Sequence, residues 1–156
     1  MRPRLIAAVI GVSALTLILI PSAHAQSGWS SWSCQWTVSN VPVPGGVLSG
    51  RGCAQWWTAS GPPSWRIWGD TYAPYSAEIR TRVRGYDGCG YNEPTTFRME
   101  GYAVFYNTTY GTSGNPVQGS AYNCTTGPHR YKVEGYHTIT TPPPPSNAGS
   151  WGVVYW

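Results

Sequence analysis

The chain is 156 residues long, 14% aromatic and only 10% charged. Of its 10 basic side chains, Arg2 and Arg4 lie within the first 25 residues, and the 8 that remain barely exceed the 6 acidic ones. So small an excess does not predict binding to nucleic acid or to an anionic membrane surface. Abundant Trp, Tyr, Gly and Pro with few charges is typical of an all-β secreted domain with many turns.

Residues 1–25 have the three parts of a secretory signal peptide. Two arginines precede an apolar run from residue 5 to residue 20, and an A-x-A cleavage motif ends at residue 25. The run is shorter than the about 20 residues needed to cross a bilayer, so a retained signal anchor is the less favoured alternative. We therefore expect a secreted, extracellular protein without membrane insertion, whose residues 26–156 form a single domain.

The four cysteines predict two disulfides, because exported proteins oxidise paired thiols. They lie at Cys34, Cys53, Cys89 and Cys124, and no C-x-x-C pair suggests a metal site. The count alone allows three pairings. The strand positions below favour Cys34 with Cys53, and Cys89 with Cys124.

Alternation of apolar and polar residues predicts strands along the rest of the chain. Trp32, Cys34 and Trp36 share one face of the first strand, and a turn centred between residues 43 and 44 would place Cys34 opposite Cys53 in a second strand at about 51–59. Further strands are expected at 64–72, 76–86, 95–106, 115–124, 129–140 and 150–156. Their short connections suit hairpins, so the prediction is an all-β antiparallel meander of about eight strands, forming a sandwich or a flattened barrel.

A recurring glycine sets the expected register of this meander. Successive glycines stand at steps of 16, 16, 18 and 16 residues, at positions 69, 85, 101, 119 and 135. Midpoints between them fall mostly in the predicted turns, so the glycines would line up across one apolar face. Such a row lets large side chains approach the backbone, and Trp32, Trp36 and Trp57 are the expected ones. A ligand groove over the glycines is the alternative.

The same register would gather aromatic and charged side chains on the opposite face. The candidate ligand-binding residues are Trp68, Arg84, Tyr86, Glu100, Tyr102, Gln118, Glu134 and Tyr136. Flat aromatic rings beside amides and carboxylates suit sugar rings, and they equally suit a protein partner. Ordinary cross-strand pairs that stabilise the sheet are the competing interpretation for the charged members.

An enzymatic role is the weaker hypothesis. Glu100 and Glu134 would lie two strands apart, about 9–10 Å between backbones, which is near the separation used by inverting glycoside hydrolases. Nothing in the sequence indicates that either carboxyl has the raised pKa that a general acid needs. His137 falls on the apolar face by parity and is expected in the core. No motif for a cofactor is present.

The sequence therefore favours a secreted, non-catalytic binding module that recognises a glycan or a cell-envelope polysaccharide through its exposed Tyr/Trp/Arg face. The alternative is a proteinaceous inhibitor of a secreted hydrolase, acting through the loop at 87–94 that Cys89 would brace. The expected partner is thus an extracellular glycan or a secreted protein.

Overall fold

The structure is a computed structural model that describes residues 28–36, 41–57, 64–121, 124–125, 127–140 and 146–155. The predicted signal peptide, residues 1–25, lies outside the described residues. Within those ranges the chain forms no helix of the length and hydropathy needed to cross a bilayer.

The described residues form eight strands, all paired antiparallel. They are β1 (Ser33–Trp36), β2 (Val41–Val43), β3 (Gly46–Trp56), β4 (Ser64–Cys89), β5 (Thr96–Thr112), β6 (Val117–Ser120), β7 (His129–Ile139) and β8 (Ser146–Tyr155). The predicted all-β antiparallel class is confirmed. In the described part of the chain the strand order begins at β1 and ends at β8 without closing on itself, so the architecture is an open sandwich and not a barrel.

Strand β4 replaces two of the predicted strands. The sequence predicts a turn at residues 73–75, but the backbone continues as one strand of 26 residues. Pro74 ended the predicted strand because proline cannot donate to a ladder. Here its neighbours from 73 to 76 make no ladder pairs, and the register of β5 shifts across them, so the proline lies in a bulge where no donor is needed.

This bulge is a bend that folds β4 back on itself. Thr71 Oγ1 lies 2.6 Å from Thr81 Oγ1, although ten residues of straight strand would span about 33 Å. Residues 65–72 pair with β3, and residues 79–89 pair with β7. We call the half built on β3 the first layer and the half built on β7 the second layer, and their inner surfaces enclose the core.

The strand order follows from the length of β4. Consecutive strands pair in β3–β4–β5 and in β7–β8, as a meander predicts. Among the described residues, however, β6 and β7 both pair with β4 and not with each other. A bent strand of this length has room for two partner strands along each edge. Short connections predict only that consecutive strands pair, so they do not predict this arrangement.

The predicted glycine row is wrong, and within the second layer Gly85 is displaced by two residues from Gly101 and Gly135. Gly101 and Gly135 both lie opposite Val83, while Gly85 lies opposite Met99 and Val133. The connection between β4 and β5 is therefore centred one residue earlier than the glycine spacing suggests. Because the error is an even number of residues, these glycines still share the buried face.

The glycines are nevertheless points of close approach, as expected, but other side chains fill the space. A Cβ on Gly85 would lie 2.6 Å from the Trp65 ring, and one on Gly50 would collide with the His137 ring. Trp65 is fully buried, whereas Trp32 and Trp36 are exposed. The prediction that these two tryptophans cover the glycines is therefore wrong. Trp65 fills this position because the bend in β4 turns its first half over its second.

Both predicted disulfides are confirmed. Cys34 lies directly opposite Cys53 in the β1–β3 ladder and is bonded to it. Cys89, at the end of β4, is bonded to Cys124. Each bridge contributes about 2–4 kcal/mol to a domain of this size. Disulfides of this kind are typical of proteins in an oxidising environment.

A small polar cluster is buried between the layers. His137 is fully buried, as its parity predicts, and its Nδ1 lies 2.8 Å from Thr71 Oγ1. Thr71 in turn contacts Thr81. Burial lowers the pKa of His137 to about 4, because the charged imidazolium would lose its hydration there.

The first prediction concerns the contact between Gly85 and Trp65. Gly85→Ala should lower the free energy of unfolding by about 1–3 kcal/mol, because the new Cβ overlaps a buried ring. Urea denaturation measures this change. In the double variant with Trp65→Phe, the smaller ring makes room, so the combined loss should be less than the sum of the single losses. Strict additivity would contradict the contact.

The second prediction concerns pH. Unfolded, His137 takes up a proton near its ordinary pKa of about 6.5, whereas the folded protein resists protonation down to about pH 4. Between these values the unfolded state binds more protons, so the free energy of unfolding should fall by about 3 kcal/mol as the pH drops from 7 to 4. His137→Gln should flatten this slope above pH 4.5. A flat wild-type profile would refute the assignment.

Candidate functional site

The structure divides the predicted ligand-binding residues between two outer surfaces. Six of them lie on the second layer, where β5, β4 and β7 run side by side: Arg84, Tyr86, Glu100, Tyr102, Glu134 and Tyr136. Trp68 and Gln118 lie instead on the first layer. Trp68 is in the first half of β4, and Gln118 is in β6, which pairs with that half. The single patch predicted from the sequence is therefore two faces, because the bend in β4 separates its halves.

We call the surface of the second layer the tyrosine face, and its centre is a row of three residues. Arg82 lies directly opposite Tyr102 in β5 and Tyr136 in β7. Tyr102 is 53% exposed and Tyr136 is 43% exposed. The backbones of the two tyrosines are two strands apart, which corresponds to about 10 Å. Two exposed rings thus flank one guanidinium on a flat surface.

The next row places a carboxylate on each side of an arginine. Arg84 lies opposite both Glu100 and Glu134, so the two glutamates are two strands apart at one level, as predicted. Arg84 Nε and Arg82 Nη2 each lie 2.7 Å from Glu100 Oε2. Hydrogen bonds from Arg82, and then from Arg84, hold the pKa of Glu100 below its ordinary value.

Glu134 belongs to a second charge network on the same face. Lys132 Nζ lies 2.8 Å from Glu134 Oε1, and the hydroxyl of Tyr136 donates to Glu134 at 3.0 Å. Lys132 also lies over the Tyr86 ring, 4.7 Å from its centroid. Burial raises the pKa of Glu134, but hydrogen bonds from these three side chains outweigh it, so the pKa is lowered on balance.

The directions of these two pKa shifts bear on the hypothesis that the protein is a glycoside hydrolase. An inverting hydrolase needs one carboxyl group that stays protonated near neutral pH. The pKa values of Glu100 and Glu134 both lie below the ordinary value, in the opposite direction. Both carboxylates are also held in ion pairs. In this arrangement neither of these two carboxyl groups has the raised pKa that a general acid needs.

The outer surface of the first layer is an aromatic surface that the sequence did not indicate, and we call it the tryptophan face. Arg66 lies over the rings of Trp29 and Trp32, at 4.4 and 5.4 Å from their centroids. Arg51 lies over Trp36 and Trp68, at 5.2 and 5.8 Å. The stack continues through the ring contacts Trp32–Trp68, Trp36–Tyr72 and Tyr72–Tyr110. Because Trp32 and Trp36 alternate with polar residues, the sequence predicted that both lie on a buried strand face, and an exposed tryptophan surface was therefore not expected.

A buried ion pair holds the middle of the tryptophan face. Arg51 Nε donates to both oxygens of Asp70, at 3.0 and 2.9 Å. Asp70 is fully buried, and the Tyr72 hydroxyl donates to it at 3.3 Å. The guanidinium is therefore neutralised, and it fixes the rings of Trp36 and Trp68 on either side.

The predicted inhibitory loop is shorter than expected. Strand β4 runs to Cys89, so the connection to β5 comprises residues 90–95 and not 87–94. Asp87 is buried within β4 and forms an ion pair with Arg98, so it does not belong to the loop. Tyr91 is 85% exposed at its tip. The Cys89–Cys124 bridge braces the base of this loop.

One cluster among the described residues has the composition of a metal site. It joins the sulfurs of Cys89 and Cys124 with His129. The two sulfurs are bonded to each other, however, so neither is a thiolate that could ligate zinc. His129 Nε2 instead accepts a hydrogen bond from the Cys124 backbone at 3.1 Å.

Comparison with known proteins gives no family for this arrangement. The chain matches no known family, and no curated protein or solved structure is detectably similar to it.

The third prediction tests the ion pair beneath the tryptophan face. Arg51→Met should lower the free energy of unfolding by about 3 kcal/mol, because it leaves the Asp70 carboxylate buried without a cation. Arg80→Met is the matched control, since Arg80 pairs with Glu78 at the solvent-exposed surface and its loss should change the free energy of unfolding far less. Equal losses in a urea titration would contradict the distinction.

Proposed function

We propose that this protein is a secreted, non-catalytic binding module that recognises a glycan or cell-envelope polysaccharide through the tyrosine face. The row Tyr102–Arg82–Tyr136 is the observation that carries the proposal. The signal peptide predicted at residues 1–25 and the two disulfides support an extracellular location.

The chemistry of the row suits a polysaccharide. Exposed aromatic rings present flat apolar surfaces that match the C–H faces of sugars, and neighbouring charged groups bond hydroxyls. A separation of about 10 Å between the tyrosine backbones allows both rings to contact one extended chain. The spacing favours a polymer over a single sugar.

The charge networks favour binding by preorganisation. Arg84 lies 5.6 Å from the centroid of the Tyr136 ring, and Glu134 accepts a hydrogen bond from the hydroxyl of the same tyrosine. A ring held at its face and at its tip loses less conformational freedom when it binds. The ion pairs thus support recognition without taking part in a reaction.

The fourth prediction tests this face. A glycan array with residues 26–156 identifies the ligand, and calorimetry then measures its affinity. The double variant Tyr102→Ala/Tyr136→Ala should bind this ligand at least about tenfold more weakly, because both ring contacts are lost. Tyr91→Ala is the matched control, since it removes an exposed tyrosine elsewhere and should leave glycan affinity unchanged.

The alternative function, inhibition of a secreted hydrolase, draws on the exposure of Tyr91 in its disulfide-braced loop. A rigid protruding loop is what an inhibitor inserts into an active site. A pull-down from culture medium that captures a hydrolase, with capture lost in Tyr91→Ala and kept in the double tyrosine variant, would favour this alternative and reject the glycan proposal.

A further inference from the structure

We infer that Arg66 on the tryptophan face is a second binding site, which takes the carboxylate group of a uronic-acid-containing polysaccharide. The inference rests on the proposed function only for the class of ligand, a polysaccharide. The site itself lies on the other layer and shares no residue with the tyrosine face.

Arg66 forms no ion pair with any acidic side chain among the described residues. The sequence contains six acidic side chains, and the structure describes all of them. Each forms an ion pair with another cation: Asp70 with Arg51, Glu78 with Arg80, Asp87 with Arg98, Glu93 and Glu134 with Lys132, and Glu100 with Arg82 and Arg84. None of these ion pairs includes Arg66, so among the described residues its positive charge has no carboxylate partner.

The guanidinium is nevertheless held in place. Arg66 Nε donates to Gln55 Oε1 at 2.7 Å, and Gln55, which is buried, donates its own amide to the carbonyl of Ser30 at 2.7 Å. The rings of Trp29 and Trp32 lie against the guanidinium. The position of the charge is therefore fixed before any ligand arrives, which reduces the entropy lost on binding.

The terminal nitrogens of this guanidinium supply the recognition chemistry. Only the Nε–H is used by Gln55, and the planar fork of an arginine binds a carboxylate with two parallel hydrogen bonds. A carboxylate of the ligand would compensate the charge that no described acidic side chain compensates. The ligand is therefore expected to be anionic at this point.

The surroundings of Arg66 favour a sugar acid over a simple anion. Trp32 is 37% exposed beside the guanidinium, so part of its ring is open to the C–H face of a sugar. Gln118 lies directly opposite Arg66 on the neighbouring strand and is exposed, which places an amide on the same side for hydroxyl groups. Trp68, which contacts Trp32, extends the apolar surface.

The test is a titration of the folded mature protein with oligogalacturonate and with its methyl ester, which keeps the sugar rings but removes the charge. Calorimetry at one fixed salt concentration measures both affinities, since exposed charges are screened by salt. Arg66→Gln should weaken binding of the acidic oligosaccharide by about tenfold or more, as expected for the loss of a bidentate charged pair. It should leave binding of the methyl ester unchanged.

Two variants sharpen the result. Arg80→Gln removes the same charge from the second layer, and it should weaken oligogalacturonate binding by less than about twofold. Arg66→Lys keeps the charge but loses the fork, so it should restore only part of the affinity. Equal losses in Arg66→Gln and Arg80→Gln would mean non-specific attraction to a cationic protein and would overturn the inference.

Other outcomes separate this site from the tyrosine face. If wild-type protein fails to bind oligogalacturonate, or if a polyphosphate displaces it more effectively than free galacturonate does, the inference is wrong. If the double tyrosine variant binds every polysaccharide as wild type does, the proposed function of the tyrosine face fails. The comparison of Arg66→Gln with wild type then still decides the Arg66 site.

Discussion

The bend of β4 at residues 73–76 is the constraint on which the rest of the structure depends. One strand pairs with β3 and β7 along one edge, and with β5 and β6 along the other. Folding this strand in half therefore positions most of the remaining sheet at once. The glycines at 50, 69 and 85 allow it, because each lies where a side chain from the opposing layer comes too close for a Cβ. The two halves can then pack at the distance that buries Trp65 and His137.

The bend also explains why the protein has two aromatic faces. Alternation continues through the bulge, so Trp65 and Val83 point into the core from the two halves of β4 while Arg66 and Arg82 point outward. The even-numbered side chains of β4 therefore lie on both outer surfaces. The outward row of the first layer has aromatic partners from residues 29–36, a segment that includes β1, and the outward row of the second layer has tyrosines from β5 and β7.

The face of the sheet on which each residue lies and the pairing of the disulfides were predictable from the sequence, whereas the pairing partners of the strands were not. The alternation of β4 assigned most faces correctly, and the spacing of Cys34 and Cys53 fixed their pairing, because both signals are local. Pro74 was misread because a proline suits a bulge as well as a turn. The two-residue error in register kept each residue on its face but changed its partners. Glu100 and Glu134 flank Arg84 because, in the described part of the chain, β7 pairs with β4 and not with β6, and Trp68 belongs to a different surface from Tyr102.

The two faces differ in how their cations are held, and this difference gives them different chemistry. On the tyrosine face Arg82 and Arg84 share Glu100, while Lys132 pairs with both Glu93 and Glu134, so these three cations are balanced by three carboxylates and the rings are the main feature offered to a ligand. On the tryptophan face Arg66 is held by an amide and by two aromatic rings, which orient a cation without neutralising it. A neutral aromatic row and a fixed charge between indoles select for different groups on a ligand. A polymer that carried both bare sugar rings and carboxylates would satisfy both faces.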